Sequence, residues 1–417
     1  MLHLATFLLL LPLTIQAVPS PALAAVSVLS SRHRMQDDLP VGKTLLPQED
    51  VMEIARLAKV INSAYCSKDN RLQPHHCDGF LLQTRDTRRR LGHSLSRSHT
   101  SDDAYPHSQA QESSSIVISS DDPEYIDDVL VGGNLRWYIS HTPSTQTLTL
   151  ALSSLSSSDS LLDLLSSTPA NNQTLIPLAG TLFPFEHLAA SCPIETDEIP
   201  RIHHSYVNAL ATHGNSALSA LLNLIDDPPP TLNFHRDILR DYVTSLAEPH
   251  SAVQESPITR IEIIGHGLGG VVGLLVAMSL KLKLDSSSSR ERNKVEITAR
   301  LFGVPRIGNR YFGDLVKNLI DHEERDGARS ILKVDRITSY FDTIVHLPEQ
   351  HLGLVHHSND EIWVGPDPNF VYYCKTPKEA RAGKGECSNQ VHLGRTTLMD
   401  HLGPYGGVWV DPHCRSV

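Results

Sequence analysis

The chain has 417 residues, enough for one large domain or two small ones, and its 40% apolar content supports a sizeable core. Lys and Arg number 36 against 47 Asp and Glu, and this net charge of −11 argues against nucleic acid or an anionic membrane as the main partner. The 23 histidines are scattered through polar stretches, with no HExxH and no Cys/His spacing of the zinc type, so neither a metal nor a cofactor is expected.

The N-terminus reads "MLHLATFLLLLPLTIQAVPSPALAA". A short apolar core at Leu8 to Leu11 precedes small-residue sites at Ala17 and Ala24, which reads as a secretory signal peptide over residues 1–24. Pro12, Pro19 and Pro21 argue against a buried first helix. No later segment reaches about 18 uninterrupted apolar residues. The mature protein is therefore expected to be secreted and to lack a transmembrane segment. Cys66, Cys77, Cys192, Cys374, Cys387 and Cys414 suit up to three disulfides, of which the sequence favours only the local pair Cys374–Cys387. Asn172-Gln173-Thr174 is a glycosylation sequon.

Residues 25–45 are polar and irregular and read as a pro-segment or disordered stretch ahead of one domain over 46–417. "EDVMEIARLAKVINSAYC" carries Val51, Ile54, Ala55, Ala58 and Ile61 at helical spacing. Residues 84–118 are rich in Ser, Arg and His and poor in large apolar residues, as a disordered insertion would be, with the run Arg85–Arg90 solvated. "LRWYISHT" and "TQTLTLAL" alternate like strands around "PST", a hairpin. "SALSALLNLI" (216–225) is helical, and "RIEIIGHGLGGVVGLLVAMSL" (260–280) is strand, turn and helix. "ITARLFGVP" (297–305) reads as a strand, "YFGDLVKNLI" as a helix and "ILKVDRITSY" as a strand, with the Ser-rich stretch 285–293 an internal linker. Such alternation predicts an α/β fold with a mostly parallel central sheet flanked by helices.

The turn at 265–270 has two readings. Gly265-His266-Gly267-Leu268-Gly269-Gly270 fits G-x-G-x-x-G, with Asp285 about 20 residues on as the ribose-binding acid would be. Against this dinucleotide reading, Asp285 ends a helix rather than the next strand, and the motif lies far from the start of its domain. The alternative is the nucleophile elbow G-x-S-x-G, flanked by Gly265 and Gly269, with Gly267 where the serine would stand. Elbow hydrolases place their acid and base later in the chain, in that order. Asp342 in "FDTIVHLP", after a strand, and His401 in "TTLMDHLGPYGG" fit that template.

These residues resemble the fungal class 3 lipases, α/β-hydrolases of triacylglycerols and related esters, from about Glu49 to Cys414. "INSAYC" is similar to the end of the family's first helix, "RIHHSYVNAL" to its VHxGF entry and "IIGHGLGG" to its GHSLGG elbow. "LFGVPRIGNRYF" is similar to xxGxPRVGNxxF, and "HLGLVHHSNDEIW" to GxxHxxxEIW. "DHLGPYGGV" resembles the segment of the catalytic histidine in basidiomycete members. The resemblance implies that Asp342 orients the base, that His401 is the base, and that Gly267 holds the nucleophile's position. It also implies an oxyanion hole from Ser154, through its backbone N–H and hydroxyl, with Leu268, and a lipid or ester ligand. A lid at about 156–167 is implied as well, although an ordinary packed helix suits its leucine cluster equally.

Two features depart from the family. Glycine has no hydroxyl for His401 to deprotonate, and losing a serine nucleophile costs on the order of 10⁶ in turnover. The oxyanion strand reads "LALSSLSSSD" where the family has FRGT or HQGT, placing the glycine's equivalent at Ser153 and the arginine or glutamine equivalent at Leu152. Catalytic silence or impairment is the expectation. His266 is expected to be a packed structural histidine, and His346, His356 and His357 loop or strand-edge residues.

Overall fold

The computed structural model describes residues 43–66, 114–122, 135–154, 175–177, 199–226, 258–286, 295–321, 330–348, 353–356, 360–365, 367, 370–375, 387–410 and 412. In chain order the elements begin with β1 (Lys43–Leu45), α1 (Gln48–Tyr65), β2 (Ser115–Ser119), β3 (Trp137–Thr142), β4 (Thr147–Leu152), β5 (Leu175–Pro177) and β6 (Arg201–His203). Then come α2 (His204–Ala209), a π turn (Leu210–Gly214), α3 (Asn215–Asp226), β7 (Arg260–His266), α4 (Leu268–Ser286) and β8 (Val295–Phe302). The last are α5 (Arg310–Asp321), β9 (Ser330–Thr338), β10 (Glu361–Val364) and β11 (Val371–Cys374).

Among the described residues, nine strands form one sheet in the order β1-β11-β10-β9-β8-β7-β4-β3-β2. The run from β4 through β7, β8 and β9 to β10 is parallel, and antiparallel pairs close both edges. Alternation along the central strands divides the core between two faces. Ile261 and Ile263 of β7 and Ala299 and Leu301 of β8 join α3 and α4 on one face. Ile264 and Phe302 meet Ile54, Leu57 and Ile61 of α1 on the other. Helix α4 is apolar nearly all round, as a helix enclosed by other elements should be, and is buried from Gly269 to Lys281. Lys281 is tolerated there because its ammonium meets Asp285 Oδ2 at 3.0 Å and the Ser330 carbonyl at 2.8 Å.

This is the α/β-hydrolase architecture expected from the sequence, with two strands at the ends of stretches read there as irregular. Lys43–Leu45, assigned to the pro-segment over 25–45, is an edge strand paired antiparallel with β11. Three residues carry no readable period, and the partner strand lies over 300 positions away. Ser115–Ser119, assigned to the disordered insertion over 84–118, is strand β2, paired with β3 across a shift of register between Ile116 and Ile118. Its alternating "SIVIS" was obscured by the Ser- and His-rich residues before it. The signal peptide, the Arg85–Arg90 run, the sequon and the lid segment at 156–167 lie outside the described residues. Cys374 and Cys387 form the expected disulfide.

Candidate active site

Parallel strands bring their carboxyl ends to one edge of the sheet, where sites in α/β folds are built. Here that edge collects Ser154 after β4, Gly267 after β7, Gly303 after β8 and Asp342 after β9. The β7–α4 turn is tight because its flanking residues have no side chains. A β-carbon on Gly265 would strike the Gly269 and Gly270 backbone, and one on Gly269 would strike the Ser153 carbonyl. Gly267 sits between them at φ +53°, its N–H donating to the Phe302 carbonyl at 2.9 Å.

His401, in a short 3-10 helix (Met399–Leu402), is carried to this edge by the segment before it. Thr397 N–H donates to the Phe341 carbonyl at 2.7 Å and the Thr397 carbonyl accepts from Thr343 N–H at 3.3 Å, laying that segment beside the Asp342 turn. The His401 Nδ1–H then donates to Asp342 Oδ2 at 3.0 Å, while Oδ1 accepts the Ile344 N–H at 2.7 Å. Asp342 is 0% and His401 8% exposed, so this hydrogen bond is shielded from water. With the Nδ1 proton committed to Asp342, the lone pair of neutral imidazole lies on Nε2. A β-carbon placed on Gly267 would stand 2.9 Å from that Nε2 and 2.8 Å from Ser154 Oγ. The structure thus brings Asp342, His401, Gly267 and Ser154 together. Leu268 opens α4, whose first N–H groups have no acceptor within the helix and point their positive end at this place.

A buried relay behind the site was missed in the sequence. The His401 carbonyl can only accept, so His266 Nε2, 2.8 Å away, must carry the proton. His266 Nδ1 then accepts from the Tyr65 hydroxyl at 2.7 Å, and the Tyr65 oxygen in turn accepts the Ser154 N–H at 2.9 Å. Tyr405 donates a second bond to the His401 carbonyl at 3.0 Å. His266 is more than a packed histidine, because it joins α1, β4 and the His401 peptide. Burial, reinforced by the nearby His401 ring, holds its imidazole well below the ordinary range, which keeps this neutral tautomer. Burial pushes the Tyr65 hydroxyl up, with the bonds from Ser154 opposing. Burial, together with the charge of Asp342, does the same to Tyr405.

The Ser154 N–H, expected to serve the oxyanion hole, is engaged by Tyr65, and it is the hydroxyl that faces Gly267. The residue pattern gave no sign of this, because Tyr65 lies 89 positions away. Gly303 was also missed. At φ +56°, a β-carbon on it would lie 2.8 Å from His401 Nδ1 and 2.9 Å from Asp342 Oδ2, so only a bare backbone leaves room for the pair. Its place in "LFGVPRIGN", straight after a strand, was the available signal.

The remaining motif residues brace the Asp342 turn. Arg306 Nη1 donates to the carbonyls of His346 and Pro348 (2.9 Å to the latter), and Nη2 to Asn389 Oδ1 at 3.1 Å. His346 places its ring nitrogens 2.8 Å from the Asp342 carbonyl and 2.9 Å from the Ser388 carbonyl, a more specific role than the loop position expected. His356 is buried, and His357 lies outside the described residues. Asn309 caps α5 by accepting the Phe312 N–H at 3.0 Å.

The dinucleotide reading fails on geometry. Asp285 is at the far end of α4 from the Gly265–Gly270 turn, about 25 Å at the rise of an α-helix. Its carboxylate is occupied by the Ser330 N–H at 3.1 Å, the Ser330 hydroxyl at 2.8 Å and Lys281. Among the described residues, no group of three or more His, Cys, Asp and Glu could hold a metal.

The sheet and the strand–glycine turn–helix are those of the α/β-hydrolase fold, with an Asp–His pair at its carboxyl edge. The fold agrees with solved structures. A triacylglycerol lipase, described as having a serine protease triad for its catalytic centre, aligns with a TM-score of 0.51 at 17% identity, over 90% of this chain and 100% of that one. The Rhizomucor miehei lipase propeptide complex aligns with a TM-score of 0.50 at 16% identity, over 88% and 84%. Residues 186–352, which include Gly267 and Asp342 but neither Ser154 nor His401, match the family model for lipase (class 3). The secreted mono- and diacylglycerol lipase MDL2 of Malassezia globosa is 30% identical over 113 residues, 27% of this chain and 31% of the relative. The lipase of Rhizomucor miehei is 26% identical over 158 residues, 37% of this chain and 36% of the relative. The matches thus span about a third of the length of these curated relatives.

Proposed function

We infer that the chain is a secreted, lipase-like protein that binds lipid or carboxylic-ester ligands and is silent or impaired as a hydrolase at the elbow itself. One observation carries this reading: the point where a nucleophile's side chain would begin on Gly267 lies 2.9 Å from His401 Nε2, with nothing attached there. A base oriented by Asp342 faces a position that offers no hydroxyl. In a serine hydrolase such a loss lowers turnover by on the order of 10⁶. The oxyanion side compounds it, because the Ser154 N–H is directed to Tyr65, and a single missing donor costs about 10²–10³.

The ligand class follows from the fold family and from the acylglycerol substrates in the relatives' names. Leu398 and Met399, 49% and 65% exposed just ahead of His401, would add an apolar rim beside the base. A lid at about 156–167 would complete contact with a lipid–water interface. Secretion is supported by the N-terminal apolar stretch and by the relatives' description as secreted. Among the described residues no helix is long and apolar enough to cross a membrane.

The preserved Asp342–His401 hydrogen bond favours a second reading, an active secreted lipase or esterase of lipid catabolism working through that pair. Titrating the secreted protein with a fluorescent long-chain acyl ester, then recovering the ester, separates the two. Saturable binding with the ester recovered largely intact supports an impaired binding protein. Rapid hydrolysis supports the second reading, and absence of saturable binding overturns both.

A further inference from the structure

Two of the three heavy atoms nearest to a β-carbon on Gly267 belong to Ser154, with Oγ at 2.8 Å and Cβ at 3.2 Å. The Ser154 side chain therefore fills the volume in which the missing nucleophile would begin. Its hydroxyl and His401 Nε2 both lie within 2.9 Å of one point. Ser154 is also partly exposed, unlike the fully buried Ser153 beside it.

We propose that Ser154 supplies the hydroxyl that position 267 has lost, so that Asp342, His401 and Ser154 form a displaced triad acting on carboxylic esters. The proposal rests on the reading of the site as a hydrolase frame with an empty elbow. At rest the Tyr65 oxygen receives the Ser154 N–H. The N–H bond fixes the backbone, and in this route the hydroxyl turns toward Nε2 by rotation about χ1.

In the reaction, Ser154 Oγ attacks the ester carbonyl carbon as its proton passes to His401 Nε2, and the Leu268 N–H receives the developing oxyanion. The bond from carbon to the alcohol oxygen breaks, and His401 returns the proton to that oxygen, releasing the alcohol. Water then attacks the acyl-Ser154, giving a proton to Nε2. Release of the carboxylic acid restores the Ser154 hydroxyl with that proton. Because the Ser154 N–H is directed to Tyr65, the route lacks one oxyanion donor and should be slow by about 10²–10³ relative to a complete hole.

The test treats the secreted protein with a fluorophosphonate, whose phosphorus accepts the serine oxygen as fluoride leaves, and maps the adduct by peptide mass spectrometry. The expected result is an adduct on Ser154, absent from Ser154→Ala and His401→Ala. Slow ester release should fall at least tenfold in the same two variants. Thermal denaturation checks that they fold, and Ser154→Cys, which keeps a nucleophile, should show His401-dependent alkylation by iodoacetamide. A Gly267→Ser variant labelled at 267, alongside native protein with no adduct on Ser154, would overturn the proposal and leave the hydrolase frame standing. If neither protein were labelled, the frame would fail and the proposal with it.

Discussion

Gly303 ends β8 at φ +56°, where alanine would be strained by about 1–3 kcal/mol. Its added β-carbon would also press on His401 Nδ1 and Cε1, each at 2.8 Å, and on Asp342 Oδ2 at 2.9 Å. Those side chains are 8% and 0% exposed and cannot swing into solvent, so crowding should add about 1–3 kcal/mol. Gly407→Ala is the matched control: its φ is +85°, yet nothing lies within 4 Å of the added carbon, so it carries strain alone. Urea denaturation should find Gly303→Ala the less stable variant by about 1–3 kcal/mol. In a Gly267→Ser background Gly303→Ala should also lower ester turnover by roughly 10² or more, because the base is displaced from its working position. Equal losses in the two alanine variants, or unchanged turnover, would refute the claim that Gly303 exists to admit the Asp342–His401 pair.

Tyr65→Phe removes the oxygen that donates to His266 Nδ1 and accepts the Ser154 N–H; leaving both buried groups unsatisfied should cost roughly 2–4 kcal/mol in denaturant titration. A loss under about 0.5 kcal/mol would mean that the relay is unimportant. Acidification should destabilise the fold through two buried histidines, because burial holds His266 well below its ordinary range and takes His203 down to about 4. The unfolded chain binds these protons first, so their stabilisation is complete above the usual imidazole value and is lost as pH falls from there through the depressed values. Melting temperatures between pH 7 and pH 4 should fall less steeply for His203→Gln than for the native chain; an equal or steeper slope would contradict this sign.

Much of the site was legible because its chemistry is local. The apolar run, the glycine-dense turn and the apolar helix over 260–280 are consecutive, and parallel strands carry Asp342 and Gly267 to the same edge. The order of Gly267, Asp342 and His401 along the chain therefore sufficed to bring them together. The unread features all depend on partners distant in sequence. Tyr65 was visible only as the end of a helix, because its partners His266 and Ser154 lie 201 and 89 positions away. Strand β1 is defined by its pairing with β11, and a run of three residues has no period to detect. The bond from the Ser154 N–H to Tyr65 depends on how α1 docks on β4. Gly303 requires knowing which side chains lie above it.

The most direct measurement is hydrolysis of a graded p-nitrophenyl ester series by the native protein and by Gly267→Ser in parallel, with His401→Ala added to the serine variant. A restored nucleophile is worth on the order of 10⁶, and an incomplete oxyanion hole takes back about 10²–10³. The serine variant should therefore exceed the native protein by about 10³-fold or more and lose that gain with His401→Ala. Native turnover equal to or greater than that of the serine variant would contradict the assignment of Gly267 as the site of the missing nucleophile.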